Sequence, residues 1–147
     1  NLVWREKHRL QQAKYKEKRK LYRKEYYKRP YVRAMLRDRA KILRIQNPNF
    51  AIADRLRRSL NHALTKYSKT GKIMNSRKYG IDWKLVIASL KPFPVDLKNY
   101  DIDHITPLRT FNLTNTNEVK MAFSPSNLQW LTKHENRSKG GKIININ

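Results

Sequence analysis

The 147-residue chain contains no cysteine, four glycines and only 11 acidic residues. Without cysteine, neither a disulfide framework nor a cysteine-ligated zinc site can support the fold. No apolar run reaches the roughly 20 residues of a membrane span, and no signal-peptide core is present. We therefore expect a protein without a membrane partner that is intracellular, in the cytoplasm or nucleoid of a host or in an organelle. The chain begins with Asn1 rather than Met, which leaves preceding residues open.

Basic residues, in contrast, are abundant. Lysine and arginine total 34, and the formal net charge at pH 7 is +23. Such an excess predicts a polyanionic partner. The basic stretches carry tyrosines and few of the leucines, phenylalanines and tryptophans that an interfacial helix buries, so nucleic acid is favoured over an anionic membrane. The length predicts one domain with extensions.

Half of the basic residues, 17 of 34, lie between residues 5 and 44, opposed by four acidic residues. Glycine and proline are absent from Glu6 to Lys28, so this backbone can be helical, but its apolar residues are too sparse for a coiled coil. A disordered basic tail and a helix ordered on a phosphate backbone both fit, and the helix is favoured. We define residues 1–46 as the basic arm and predict nucleic-acid contacts from Lys18, Arg19 and Arg23.

Residues 47–98 are predicted to be a helical region that packs on the part of the chain after it. Apolar residues at helical spacing indicate a helix from Ile52 to Tyr67, closed by Thr70 and Gly71. Arg55 and Arg58 lie off this apolar stripe, so each is either a phosphate contact or part of a solvated face.

A shorter helix is predicted later in the same region. Asp82 is a good N-cap for the apolar residues that follow it, and Trp83 is interpreted as a core residue rather than a base-stacking one.

Residues 99–147 form the last predicted segment and have a mixed pattern. Residues 100–105 and 126–131 have strand character, because apolar residues alternate with polar ones. Thr132 precedes Glu135 by three residues, the capping-box signature of a helix start. The expected fold class is therefore α+β, in which helical segments precede a strand, loop, strand and helix.

This order brings Asp103, His104, Asn127 and Asn136 together. Histidine, with an ordinary pKa near 6.5, suits proton abstraction around neutral pH. Asp103 and Asn136 offer hard oxygen ligands of the kind Mg²⁺ prefers, and the Asn127 amide can hold loop backbone. Neighbours on a strand point to opposite faces, so Asp103 and His104 can serve one site only if the strand ends there.

These residues resemble the HNH nuclease motif, the ββα-metal fold, in its His-Asn-Asn variant. Tyr-Asp-Ile-Asp-His-Ile at 100–105, and the nine-residue step from Asn127 to Asn136, resemble the HNH domain of RNA-guided CRISPR effector nucleases. Free-standing HNH endonucleases of phages and mobile elements, of the homing type, look closer still. That likeness rests on Phe-Asn-Leu at 111–113, Ser-Asn-Leu-Gln-Trp at 126–130 and Glu-Asn-Arg-Ser-Lys-Gly at 135–140.

The resemblance implies a DNA endonuclease module at residues 99–147, preceded by basic, mainly helical DNA-binding segments. His104 would be the general base and Asn127 the organiser of the loop. Asp103 and Asn136 would bind one Mg²⁺ or Mn²⁺ per active site, with no zinc.

The resemblance also suggests roles around this centre. Arg137 and Lys139 would contact phosphates around the cut. His134 is a minor alternative to Asn136 as the metal ligand. Asp101 is interpreted as a surface carboxylate, with assistance at the metal as the alternative.

Two other functions fit the sequence. The first is an HNH-derived, RNA-binding structural component of a ribonucleoprotein such as an organellar ribosome, since RNA and DNA present the same charge to the basic arm. The intact set of four site residues speaks against that role. The second is the nuclease module of a larger toxin or effector. Neither the recognition sequence nor the oligomeric state follows from the sequence.

Overall fold

The computed structural model describes residues 2–68 and 75–143. Contacts between residues divide the chain into two compact units, Asn1–Asn47 and Pro48–Asn147. Helices account for 68% of the structure, and the sheet is small, antiparallel and two-stranded. The predicted α+β class is therefore confirmed. The finer division of the second unit into residues 47–98 and 99–147 stays a prediction.

The first unit consists of two helices, α1 (Leu2–Tyr26) and α2 (Pro30–Gln46). The basic arm is thus helical in this structure, and none of the residues of α1 is buried. Pro30 is the first residue of α2, a position where its missing N–H costs nothing and its fixed φ suits the helix. Across the described residues of both units, no helix is long and apolar enough to cross a membrane.

The described part of the second unit contains four α-helices, α3 (Pro48–Tyr67), α4 (Trp83–Ser89), α5 (Thr116–Ala122) and α6 (Lys133–Lys139), and short 3₁₀ helices. Asp82 caps α4 by accepting hydrogen bonds from the backbone N–H groups of Lys84 and Leu85. The capping box predicted for α6 is also present, with both of its reciprocal hydrogen bonds. The predicted helix end at Thr70 and Gly71 lies outside the described residues.

The sheet pairs β1 (Tyr100–His104) with β2 (Leu128–Thr132). The prediction that the second strand begins at Ser126 is wrong by two residues, because Pro125–Asn127 forms a 3₁₀ turn. Proline at the first position of that turn has its φ fixed near the helical value, which favours the turn over a strand. Asn127 therefore precedes β2 rather than lying on it.

The core of the second unit joins α3 to the sheet. One face of α3 is buried and contributes Ile52, Leu56 and Leu60. Phe123, at the end of α5, is fully buried. Trp83 packs against Phe123, with ring centroids 6.2 Å apart in an edge-to-face arrangement, which confirms its predicted core role. This packing holds α3 and β1 in one unit and so positions the polar residues between them.

Candidate active site

His104 is the last residue of β1, so the strand ends where the sequence required it to end. Its side chain is buried, and its ring meets the Phe123 ring edge-on at a centroid distance of 4.9 Å. Burial lowers the pKa of His104 to about 4; the negative charge of Asp103 opposes this shift and the positive charge of Lys139 adds to it. Nε2 is enclosed and has no hydrogen-bond partner within the described chain.

Asn127 ties the segment after His104 to the turn before β2. Its Oδ1 accepts a hydrogen bond from the Thr106 N–H at 2.7 Å, and its Nδ2 donates to the Thr106 and Ala122 carbonyls at 3.2 and 2.9 Å. The Asn127 carbonyl also accepts from the Ile105 N–H at 2.9 Å. These are the kind of loop contacts expected of Asn127, while its part in catalysis stays a prediction.

Asp103 forms a buried ion pair with Lys139. The Lys139 ammonium lies 2.5 Å from Asp103 Oδ2 and also donates to the His104 carbonyl. Gln129, opposite Asp103 on β2, donates to the same Oδ2 at 3.0 Å. The Lys139 side chain is 2% exposed and that of Asp103 13%. This burial does not support the phosphate contact predicted for Lys139, which clamps α6 to the end of β1 instead.

Asp101 contacts Asn136 and Arg55. Asn136 Nδ2 donates to Asp101 Oδ2 at 3.1 Å, and Arg55 Nη2 lies 3.5 Å from Asp101 Oδ1. Arg55 also donates to two backbone carbonyls, those of Leu97 at 3.2 Å and Tyr100 at 2.7 Å. Asp101, predicted to be a surface carboxylate, is 35% exposed and has two internal partners, Asn136 and Arg55.

Two depressions meet at His104. The first has a volume of about 290 Å³ and is lined by Asp101, His104 and Asn136 together with Arg58 and Ser59 of α3. The second, also about 290 Å³, is lined by Asp103, His104 and Lys139 among others. The four predicted site residues thus lie in one region, but Asp103 and Asn136 line different depressions. His104 is common to both.

The other predicted nucleic-acid contacts are mostly exposed. Arg137 is exposed on α6, and Arg58 is exposed on α3, where it pairs with Asp54 at 3.3 Å. Lys18, Arg19 and Arg23 are exposed on α1. Their surfaces are open to a polyanion, unlike those of Arg55 and Lys139.

The side chains present fit a hard divalent cation by their chemistry. Carboxylate and amide oxygens are the ligands that Mg²⁺ and Mn²⁺ take. Asp103 Oδ2 already accepts a hydrogen bond from Lys139. The side-chain nitrogen of Asn136 donates to Asp101, so the side-chain oxygen of Asn136 can bind another partner. Within the described ranges, no group of three or more His, Cys, Asp and Glu side chains is placed to hold a metal. Two protein oxygens would leave such an ion open to substrate and water.

The sequence does not predict three features of the site: Gln129 as a partner of Asp103, and the internal contacts of Asp101 and Arg55. A signal for part of this existed. Asp101 and Asp103 are two residues apart on β1 and share a face, roughly 6.6 Å apart. Asn136 and Lys139 are three apart on α6 and also share a face. The two spacings are compatible with two parallel contacts between strand and helix, but they do not show that these two faces meet.

Comparisons of the chain with protein-family models, with curated proteins and with solved structures found no match. The HNH resemblance therefore rests on the residues themselves and stays a prediction.

Proposed function

We propose that the protein is a divalent-metal-dependent HNH endonuclease of the homing or phage type, which hydrolyses DNA phosphodiester bonds. The observation that carries the proposal is the tether at Asn127. Its side chain bonds both backbone groups of Thr106, two residues after His104, and so fixes the exit of β1 beside the buried imidazole. Antiparallel β1 and β2 followed by α6 are the elements that a ββα-metal module requires.

His104 is the proposed general base. With a pKa of about 4, its imidazole is neutral at neutral pH and can accept a proton. Since Nε2 is enclosed, Nδ1 is the nitrogen proposed to take the proton from the attacking water. A phosphate entering the depression would raise the pKa of His104 toward neutrality by its charge, which improves a general base.

Asp103 and Asn136 are the proposed ligands of one Mg²⁺ or Mn²⁺ ion. Because they line different depressions and Asp103 Oδ2 is bonded to Lys139, binding would require both side chains to turn toward the ion beside His104, which lines both depressions. When bound, the ion would supply counter-charge for the leaving oxygen. Asn127 holds the His104 segment in place. Arg137 and Arg58 are exposed and are proposed to contact phosphates of the substrate. By the resemblance, the products carry a 5′-phosphate and a 3′-hydroxyl.

The basic arm is proposed to grip the duplex. Helix α1 has 25 residues, which at 1.5 Å per residue is roughly 38 Å, about one turn of duplex DNA. Its exposed lysines and arginines would contact phosphates, which position a protein on DNA without reading the sequence.

A second candidate function is an RNA-binding structural component of a ribonucleoprotein. The observation that favours it is the ion pair between Asp103 and Lys139, which engages an oxygen that a working metal site would need. Under this alternative, the buried polar residues hold the fold together and the basic arm binds RNA.

Supercoiled plasmid incubated with wild type and with His104→Ala, each with Mg²⁺ and with EDTA, separates these functions. The nuclease proposal expects nicked or linear DNA only from wild type with Mg²⁺. His104→Ala should lose at least about 100-fold in rate, because a general base contributes about 10²–10⁴-fold, and should bind DNA nearly as well as wild type.

Residual cutting by His104→Ala within about tenfold of wild type would contradict the base assignment. Cutting that persists after thorough chelation would contradict the metal. An inert wild type that co-purifies with a large RNA would support the structural alternative.

A further inference from the structure

A continuous series of polar contacts runs from α3 through β1 to α6. It begins at Arg55, whose guanidinium is held by the Leu97 and Tyr100 carbonyls. The same guanidinium lies 3.5 Å from one carboxylate oxygen of Asp101, and the other oxygen accepts from Asn136 Nδ2 at 3.1 Å. These contacts end on a proposed metal ligand.

The contact between Asp101 and Asn136 decides which way the Asn136 amide points. An ionised carboxylate has no proton to donate and can only accept hydrogen bonds. The NH₂ group of Asn136 must therefore face Asp101, so the amide oxygen points away from Asp101. Asp101, His104 and Asn136 line one depression, and under the proposed function the Asn136 oxygen serves there as a metal ligand. In the reverse orientation, two oxygens would face each other and the ion would meet an NH₂ group.

Arg55 restrains the Asp101 carboxylate, as Asp101 restrains the Asn136 amide. Its side chain is 29% exposed and that of Asp101 35%, so the pair is partly screened from water. Two backbone carbonyls fix the planar guanidinium, which leaves the carboxylate little freedom to rotate. The donors of Arg55 that would otherwise meet a phosphate are used inside the protein.

We propose that Asp101 and Arg55 are positioning residues that orient the Asn136 amide, so that its oxygen faces the depression lined by His104. This inference rests on the proposed function. It makes Asp101 and Arg55 residues that hold the metal ligand Asn136 in place and do not bind the metal themselves. Groups that orient metal ligands in this manner are commonly worth about 10- to 100-fold in metal affinity.

The test compares Asp101→Ala, which removes the acceptor, with Asp101→Asn, whose amide oxygen can still accept from Asn136. Binding of Mn²⁺ is measured by electron paramagnetic resonance in the presence of a noncleavable phosphorothioate duplex. Asp101→Ala should weaken Mn²⁺ binding by about 10- to 100-fold with duplex affinity unchanged, and Asp101→Asn should recover most of the loss. Asp38→Ala, which removes an exposed carboxylate from α2 whose contact is an exposed one with Lys41, is the control and should bind Mn²⁺ like wild type.

A second readout needs no metal. The side-chain NH₂ resonances of Asn136, in protein labelled with ¹⁵N asparagine, should move in Asp101→Ala and in Arg55→Met, and less in Arg55→Lys. Circular dichroism checks that each variant is folded.

The two proposals fail in different ways. If wild type cuts plasmid and binds Mn²⁺ but Asp101→Ala binds it equally well, the positioning role is overturned and the nuclease stands. If Asp101→Ala leaves the Asn136 resonances in place, the orienting contact itself is overturned. If wild type neither cuts DNA nor binds Mn²⁺, the proposed function fails, and the positioning of a metal ligand fails with it, whatever the resonances show.

Discussion

The two units of this protein use the same basic side chains in different ways. Among the described residues of the first unit, the ion pairs are exposed contacts between residues three apart, such as Glu17 with Lys20 and Asp38 with Lys41. In the second unit, Arg55 and Lys139 reach 45 and 35 residues along the chain to bond backbone carbonyls as well as carboxylates. Exposed pairs contribute little to stability, whereas removing one partner of a buried pair is costly.

The difference shows that the total charge of the protein does not determine what each basic side chain does. Both units are basic: 17 lysines and arginines lie in each. The cations of α1 are open to a polyanion, while Lys139 is enclosed and serves the fold. Substitutions that remove the same charge should therefore have unlike effects in the two units.

The largest expected effect on stability is that of Lys139→Met. It leaves the Asp103 carboxylate in a largely buried place with Gln129 as its neutral partner, and breaking a buried ion pair in this way costs about 3–5 kcal/mol. Urea unfolding followed by tryptophan fluorescence measures the loss. A Trp4→Phe background removes the one tryptophan of the first unit.

Two further variants test the cause. Lys139→Met combined with Asp103→Asn should regain much of the loss, because no uncompensated charge is then buried. Lys18→Met removes the same kind of charge from α1 and should be nearly neutral. Equal losses in Lys139→Met and Lys18→Met would remove the contrast between the units.

The next effect is a dependence of stability on pH. The pKa of His104 is about 4 in the folded protein against an ordinary value of 6.5. Burial keeps His104 neutral in the folded state, whereas the unfolded state takes up a proton more readily. The contribution of neutral His104 to the free energy of unfolding is therefore fully present above pH 6.5 and is lost as the pH falls toward 4. Between about pH 7.5 and about pH 5, the free energy of unfolding should fall by about 2 kcal/mol from this group alone.

His104→Gln carries no titrating group at this position, so it is the control for the acid effect. Its loss of stability over the same pH interval should be smaller than that of wild type by this amount. Parallel curves for the two proteins would mean that His104 is not held neutral by burial.

A smaller effect is expected at the start of α6. Thr132→Ala removes the hydroxyl that accepts from the Glu135 N–H at 3.1 Å, and loss of such a cap costs about 1 kcal/mol. Thr132→Ser keeps the hydroxyl and should retain most of the stability in the same urea assay. If Thr132→Ser loses as much as Thr132→Ala, packing of the methyl group rather than capping explains the effect.

The smallest effect on stability is expected in the basic arm, where the change should appear in binding. Replacing Lys18, Arg19 and Arg23 together by glutamine should leave the free energy of unfolding within about 0.5 kcal/mol. For every phosphate that the variant no longer neutralises, the log–log salt slope of duplex binding should become shallower by about 0.9. A triple variant that exchanges lysine and arginine at these positions keeps the charge and should keep the slope. An unchanged slope in the glutamine variant would mean that these residues do not lie on the phosphate backbone.

Local signals in the sequence predicted much of the secondary structure. The caps at Asp82 and Thr132 depend on residues two and three positions away, so a short window suffices to find them. Asn127 is predicted to lie on β2 but lies in the turn before it, because the proline at position 125 favours a turn over the strand that the alternation of apolar residues indicates. Hydrogen bonds from the Asn127 amide to loop backbone are predicted from the sequence, but their partner, Thr106, is identified only by the structure.

The internal roles of Arg55, Asp101 and Lys139 could not be predicted in the same way. Long basic side chains on a helix can lie in solvent or fold back onto the protein, and helical spacing does not distinguish the two. Which occurs depends on α3 and α6 packing against β1, and the hydrogen bonds between these elements span 35 to 45 residues of sequence. Charge and spacing identified the residues, and only tertiary packing identified their partners.

The hydrogen bond from the Thr106 N–H to Asn127 Oδ1 has a kinetic consequence. Thr106 follows the end of β1, so its amide has no ladder partner to slow the exchange of its proton with deuterium from solvent. The Asn127 side chain takes that place at 2.7 Å. Exchange at Thr106 should consequently require the transient opening of the turn around Asn127. The protection factor of this one amide therefore measures, without any substitution, how often the segment beside His104 comes loose.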